Sequence, residues 1–324
     1  MKKVLTSLAI AVALASASVS SYAQQTLRLA HNAAEGNPKD QASLLFAKLV
    51  EEKTEGRIKV QVGGNAQFGE DNEAITSMRL GAMAFSANSQ GPIASVIPEF
   101  NIIGLPFLFS DSEEAWKVLD GKVGEELNKL AEQQGLVLLS LWDNGIRHVS
   151  NNVHPIKEPK DLEGIKLRTP SDTMTVDIFD ALGANPTPLA FSELYIALQQ
   201  GVVDGQENPL PNTFASKLYE VQKYISLTGH KYESTPLLAS KIVWDGLSKE
   251  DQAAIQEAAS EAKDFNRKIF TEQEISNRKE MEQHGVQFNE IDRSSFVEAT
   301  KSVYDNWRKK YPEFLDLIEK ETNK

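Results

Sequence analysis

The sequence predicts an α/β protein of two lobes, each a mainly parallel sheet flanked by helices, with one long helix bracing both. Three observations carry that expectation. Apolar runs of strand and helix period alternate from Leu27 to Asn88, an order that implies parallel pairing with helices on both faces. The 324-residue chain lies at the size where single cores divide. A helical pattern opened by Ser248 continues to about Gln283; roughly 35 residues at about 1.5 Å each make a rod of about 50 Å. That is long for a globular helix and long enough to span two lobes. The expected division gives residues 1–23 to a cleaved leader, 24–146 with about 235–270 to lobe 1, and 147–234 with about 271–324 to lobe 2.

Taken in order, Leu27 to His31 reads as a buried strand ending in the polar pair His31-Asn32. Ala42, Leu45, Phe46, Leu49 and Val50 form a helical stripe. Ile58, Val60 and Val62 alternate as a second strand, and Asp71 or Asn72 is placed to cap a helix through Leu80. Gly81 closes it, and a strand follows to Asn88. Ser110-Asp111-Ser112-Glu113 fits a capping box for a helix running to Gly135. Leu136 to Trp142 is a continuous apolar run, a strand buried on both faces. Asn144-Gly145-Ile146-Arg147 should leave it and start the crossover to the second lobe. There, Gly164 to Arg168 alternates as a short strand that Pro170 stops, with Ser171 or Asp172 capping a helix over Met174, Ile178, Phe179 and Leu182. Phe191 to Gly201 reads as a capped helix, Val202-Val203-Asp204 as a strand and Gly205 to Pro209 as a turn. Leu237 to Trp244 carries the chain back to the first lobe, and Ser294 to Leu317 reads as terminal helices.

Met1 to Ala23, with Lys2-Lys3, an apolar run from Val4 to Ala17 and the small-residue site Ser21-Tyr22-Ala23, has the form of a secretory leader. Without its two lysines the chain carries 32 basic against 46 acidic residues, a net of −14. That balance argues against nucleic acid or an anionic membrane as partner. The chain has no cysteine, so disulfides, thiolate metal sites and a lipid anchor on a leader-proximal cysteine are excluded. The expected location is the periplasm, without a lipid anchor, and the expected state is a monomer.

Enzymatic chemistry finds little support. The five histidines (31, 148, 154, 230 and 284) lack metal-ligand spacing, and no nucleophile elbow, phosphate loop or dinucleotide fingerprint occurs. No metal and no cofactor is expected. Ligand capture fares better. Arg168 follows a strand beside a helix N-terminus, where its planar fork suits a carboxylate and helix amides add donors for an anion. Arg147 and Asn208 also follow expected strands, at the carboxyl ends where open α/β folds place ligands. Two arginines and an amide there suit an anionic, hydroxylated molecule; the competing reading for each is a structural or ion-paired side chain.

At these residues the sequence resembles the extracytoplasmic solute-binding proteins of tripartite ATP-independent periplasmic (TRAP) transporters. The matching runs are Asn144-Gly145-Ile146-Arg147, Gly164-Ile165-Lys166-Leu167-Arg168 and Ala184-Asn185-Pro186-Thr187-Pro188. Phe191-Ser192-Glu193-Leu194-Tyr195, Asp204-Gly205-Gln206-Glu207-Asn208-Pro209 and Leu105-Pro106-Phe107-Leu108-Phe109 complete the set. The resemblance implies a two-lobe periplasmic binding protein fold of type II-like form, closing over an organic acid and docking on membrane permease subunits, with no catalysis. It implies that Arg168 is the principal carboxylate clamp, Arg147 the second arginine and Asn208 the amide that helps hold the same group. Asn32, Glu70 and Asn88 match first-lobe ligand positions, Phe191 a cleft aromatic, and His31 and Asp172 are neighbours of the site. The resemblance is closer to relatives that bind hexuronates or ketogulonates than to sialic-acid binders, since Thr169-Pro170-Ser171-Asp172 departs from the Val-Pro-Asn form of the latter. The expected ligand is a hexuronate such as D-glucuronate or D-galacturonate. The alternatives are another organic acid (2,3-diketogulonate, a C4-dicarboxylate or sialic acid), a secreted sugar-acid lyase or isomerase, and a sensory binding module.

Overall fold

A computed structural model describes residues 24–322; the leader reading of residues 1–23 lies outside the described residues. Among the described residues nine strands join in one sheet: β1 (Gln25–Ala30), β2 (Ile58–Gly63), β3 (Phe85–Ala87), β4 (Leu136–Asn151), β5 (Lys166–Thr169), β6 (Asn185–Pro188), β7 (Gly205–Asn208), β8 (Tyr224–Ser240) and β9 (Gln287–Asn289). Their order is β2-β1-β3-β8-β4-β7-β5-β6, with β9 also on β8. β1 pairs in parallel with β2 and β3, and β5 with β6 and β7, so each end of the sheet is the parallel unit that the alternating sequence implies.

The middle departs from the sequence reading. β4 does not end at Trp142. It continues through Arg147 to Asn151, antiparallel to β8 along their length, with register shifts at Leu138/Ser140, Asp143/Gly145 and Arg147/Val149. Gly145 makes the second shift possible. Its φ of +86° is costly for other residues, and a Cβ there would stand 2.3 Å from the Phe270 ring. These long strands run through both ends and fuse them into one mixed sheet. The expected strand at Val202–Asp204 is a turn, and the expected turn at Gly205 to Asn208 is β7. The expected helix to Gly135 is two helices, Ser112–Leu119 and Lys122–Gln133, broken at Asp120-Gly121.

The long helix spans Lys249–Gln283, its first turn capped by the Ser248 hydroxyl accepting from the Asp251 amide. It lies along the helix Pro38–Lys53 and β4, and reaches the helix Leu210–Ala215. Ala258, Ala259 and Ala262 let it approach closely, entering a core with Phe46, Phe85 and Trp142. Phe46 meets Phe85 edge-on at 5.4 Å. A second, larger core holds Phe100, Leu105, Phe179 and Trp307. The terminal helices close that core, packing on Ser112–Leu119, Lys122–Gln133 and Thr173–Ala181. Among the described residues no helix is long and apolar enough to cross a membrane.

Candidate functional site

A cleft opens where the carboxyl ends of β1, β3, β5 and β7 converge, the place where open α/β folds take their ligands. Asn32, Lys39, Glu70 and Ser89 line one side, Arg168, Phe191 and Asn208 the other, and Arg147 and Glu233 of the two long strands form the floor between them.

Arg168 is positioned by strand alternation. Leu167 turns into the core, so its neighbour turns to the opposite face. Pairing of Arg168 with Thr187 on β6 and Gln206 on β7 fixes the backbone. Its Nε and Nη2 donate to the Leu189 carbonyl at 3.0 and 2.7 Å, and Phe191 lies 5.7 Å from the guanidinium carbon. The side chain is only 2 % exposed, and among the described residues it forms no ion pair. Burial lowers its pKa to about 10, with Glu207, Glu233 and Glu70 acting only from a distance. At neutral pH it is therefore a buried positive charge whose Nη1 still has hydrogen bonds to give.

Arg147 is compensated. Its Nε and Nη2 meet the two oxygens of Glu207 at 2.5 and 2.7 Å, its Nη1 meets Glu233, and Nη2 also reaches Asn208 Oδ1 at 3.1 Å. Burial opposes its charge, but Glu207 and Glu233 outweigh that and hold its pKa above the usual arginine value. Burial would likewise raise Glu207, yet Arg147 and His230 hold its carboxyl well below the usual range. His230 Nε2 lies 3.1 Å from Glu207 and Nδ1 2.8 Å from the Thr228 hydroxyl. Burial pushes its pKa down, and the neutral tautomer with a proton on Nε2 satisfies both contacts.

A run of linked amides also lines the cleft. Asn37 Nδ2 donates to Asn212 Oδ1 at 2.8 Å, and Asn212 Nδ2 to Asn144 Oδ1 at 3.2 Å. On the first side Asn32 Nδ2 donates to Asp71 Oδ2 at 2.9 Å, while Lys39 Nζ donates to Ser89 Oγ at 3.1 Å and Asn32 Oδ1 at 3.4 Å. Glu70 ends at a buried Oε1 without a hydrogen-bond partner among the described residues.

Of the nine residues singled out in the sequence, Arg168, Arg147, Asn208, Glu70, Asn32 and Phe191 meet at this cleft. Three stand behind its walls. His31 is buried with Nε2 3.4 Å from Asp40 Oδ1. Asn88 Nδ2 donates to the Asp71 carbonyl at 3.0 Å. Asp172 accepts from the Thr175 amide at 2.8 Å and pairs with buried Lys231 at 2.7 Å. Sequence reasoning missed Lys39, Asp71, Asn144, Asn212 and Glu233. Lys39 carried a signal, since a lysine in a helix's first turn opposes the macrodipole.

A family model described as DctP, bacterial extracellular solute-binding protein, family 7, matches residues 29–310. The chain belongs to this family. It is 35% identical over 307 residues to the 2,3-diketo-L-gulonate-binding periplasmic protein YiaO of Escherichia coli (strain K12), covering 94% of each. It is 49% identical over 284 residues to the protein y4mM of Sinorhizobium fredii (strain NBRC 101917 / NGR234), covering 87% of this chain but 52% of that one, so it spans about half the length of that relative. A crystal structure of a TRAP periplasmic solute binding protein from Sulfitobacter sp. NAS-14.1 with bound beta-D-galacturonate superposes with a TM-score of 0.89 at 36% identity, covering 93% of this chain and 100% of the other. Homologues and structural neighbours are thus TRAP periplasmic binding proteins, and the mixed α/β sheet with its long helix is their fold.

Proposed function

We infer that the chain captures a hexuronate such as D-glucuronate or D-galacturonate in the periplasm and delivers it to the membrane permease subunits of a TRAP transporter, leaving its bonds intact. The observation that carries the reading is Arg168, a charge buried in the cleft that forms no ion pair among the described residues. Burying such a charge is costly unless a partner arrives, and a ligand carboxylate is that partner. Asn208 assists, Phe191 offers an apolar face, and Asn32 and Glu70 suit sugar hydroxyls. Arg147, already compensated by Glu207 and Glu233, holds Asn208 and adds directional hydrogen bonding rather than free charge. Asn88, His31 and Asp172 support the walls. The lobes divide as residues 24–146 with about 235–270, and 147–234 with about 271–324, and closure gains contacts that the open form lacks. The leader at residues 1–23 and the absence of cysteine support a periplasmic protein without a lipid anchor.

A thermal-shift screen of sugar acids tests this. A ligand at 100 times its Kd stabilises by about 2.7 kcal/mol, and the uronate should be recovered unchanged. Shifts with succinate or malate and none with uronates would overturn the hexuronate reading. The relative that binds 2,3-diketo-L-gulonate favours that ketoacid as second choice, so it belongs in the same screen.

A further inference from the structure

The cleft holds a second buried cation that forms no ion pair among the described residues. Lys39 is 4 % exposed and lines the cleft. Its ammonium meets two neutral oxygens, Ser89 Oγ and Asn32 Oδ1. Asp71, the nearest candidate for an ion pair, is already occupied: its Oδ2 accepts from Asn32 Nδ2 at 2.9 Å and from the Ser89 amide at 3.1 Å. Among the described residues Lys39 forms no ion pair, and Asp71, Glu233 and Glu70 act on it only through space. The position is unfavourable twice over. Lys39 sits in the first turn of the helix Pro38–Lys53, where the macrodipole repels a cation, and it is removed from water. Folding alone gains little from it.

Its location supplies a use. Ser89, next to the ammonium, directly follows β3, whereas Arg168 lies on β5. The order β3-β8-β4-β7-β5 separates those strands by four spacings, about 19 Å, which the two long side chains shorten by reaching into one cleft. An ammonium has three N–H donors, and two are accounted for here. Close by, Glu70 Oε1 is a buried acceptor without a partner among the described residues. A donor and an acceptor together match hydroxyl groups better than a bare hydrocarbon end.

Resting on the reading of the cleft as a sugar-acid site, we propose that Lys39 is a specificity-determining residue, donating a hydrogen bond to an oxygen at the end of the ligand remote from its carboxylate. It selects polyhydroxylated acids long enough to span from Arg168 to Ser89, and it discriminates against acids of two or three carbons.

The test is calorimetric titration of the wild-type protein, Lys39→Met and Lys39→Gln with D-galacturonate and D-glucuronate, at low salt and at about 0.5 M sodium chloride, where screening acts over only a few ångströms. Urea midpoints confirm that the variants fold, and Lys39→Gln serves if Lys39→Met does not. The expected result is a loss of roughly 10- to 100-fold for the uronate that binds, the size of one charge-assisted hydrogen bond, persisting at high salt. A loss under about tenfold, or one that vanishes in salt, overturns the assignment while leaving the sugar-acid reading intact. If the wild-type protein binds neither uronate, that reading fails first and the role of Lys39 falls with it.

Discussion

Replacing Arg168 by methionine separates a ligand-holding arginine from a structural one. Burial lowers the guanidinium pKa to about 10, well below the usual arginine value; at about 1.36 kcal/mol per unit this is a net cost of roughly 3 kcal/mol for holding the charge in the unliganded protein. Arg168→Met removes that cost. It also strips the Leu189 carbonyl of hydrogen bonds at 3.0 and 2.7 Å, a loss of about 1–3 kcal/mol. The two nearly cancel, so unliganded stability should stay within about 2 kcal/mol of wild type. Binding should respond very differently. A carboxylate losing two charge-assisted hydrogen bonds at about 1.5–3 kcal/mol each weakens by roughly 10²- to 10⁴-fold in Kd. Urea unfolding without ligand and calorimetry with D-galacturonate measure the two sides. A variant that loses 3 kcal/mol or more of stability yet keeps its affinity would refute the reasoning, because Arg168 would then serve the fold and not the solute.

Glu207→Gln should behave in the opposite way, losing about 3–5 kcal/mol of stability by breaking a buried ion pair, read as a lower urea midpoint. Its folded-state pKa is depressed, so its contribution is fully present above the unfolded carboxylate value near pH 4.3. That contribution fades only as pH falls below it; Glu207→Gln should therefore flatten the acid limb of the stability curve, and an unchanged limb would contradict the pairing. Gly145→Ala places a methyl 2.3 Å from the Phe270 ring at a φ of +86° and should cost about 2–4 kcal/mol. An unaltered melting temperature would show that the strand shift at Gly145 relaxes freely.

The legible parts of the chain were those where a single physical rule acts. Ser248 capping an amphipathic run gave the long helix to its last residue, and alternation at Ile58, Val60 and Val62 gave β2. β8 was largely invisible for a physical reason. It is the middle of the sheet, yet its buried positions include Thr228, His230, Lys231, Glu233, Ser234 and Thr235, polar groups made tolerable by long-range hydrogen bonds that no local pattern reveals. β7, with buried Gln206, Glu207 and Asn208, looked like a turn for the same reason. In the site, arginines after strands stood out, whereas Glu233 and Asn212 enter through tertiary contacts made by residues far away in the sequence. The compensation of Arg147 by two carboxylates was likewise hidden, because one of them lies 86 positions along the chain.

One small contact ties distant parts of the chain together at the cleft. The amides of Asn37 and Asn212, 175 positions apart, touch at 2.8 Å, and both residues line the cleft. A neutral bond of this kind is worth about 0.5–1.5 kcal/mol, a factor of roughly 2–13 in an equilibrium. So slight a link is a weak fastening by itself, and on the reading proposed above a bound acid would supply the stronger one.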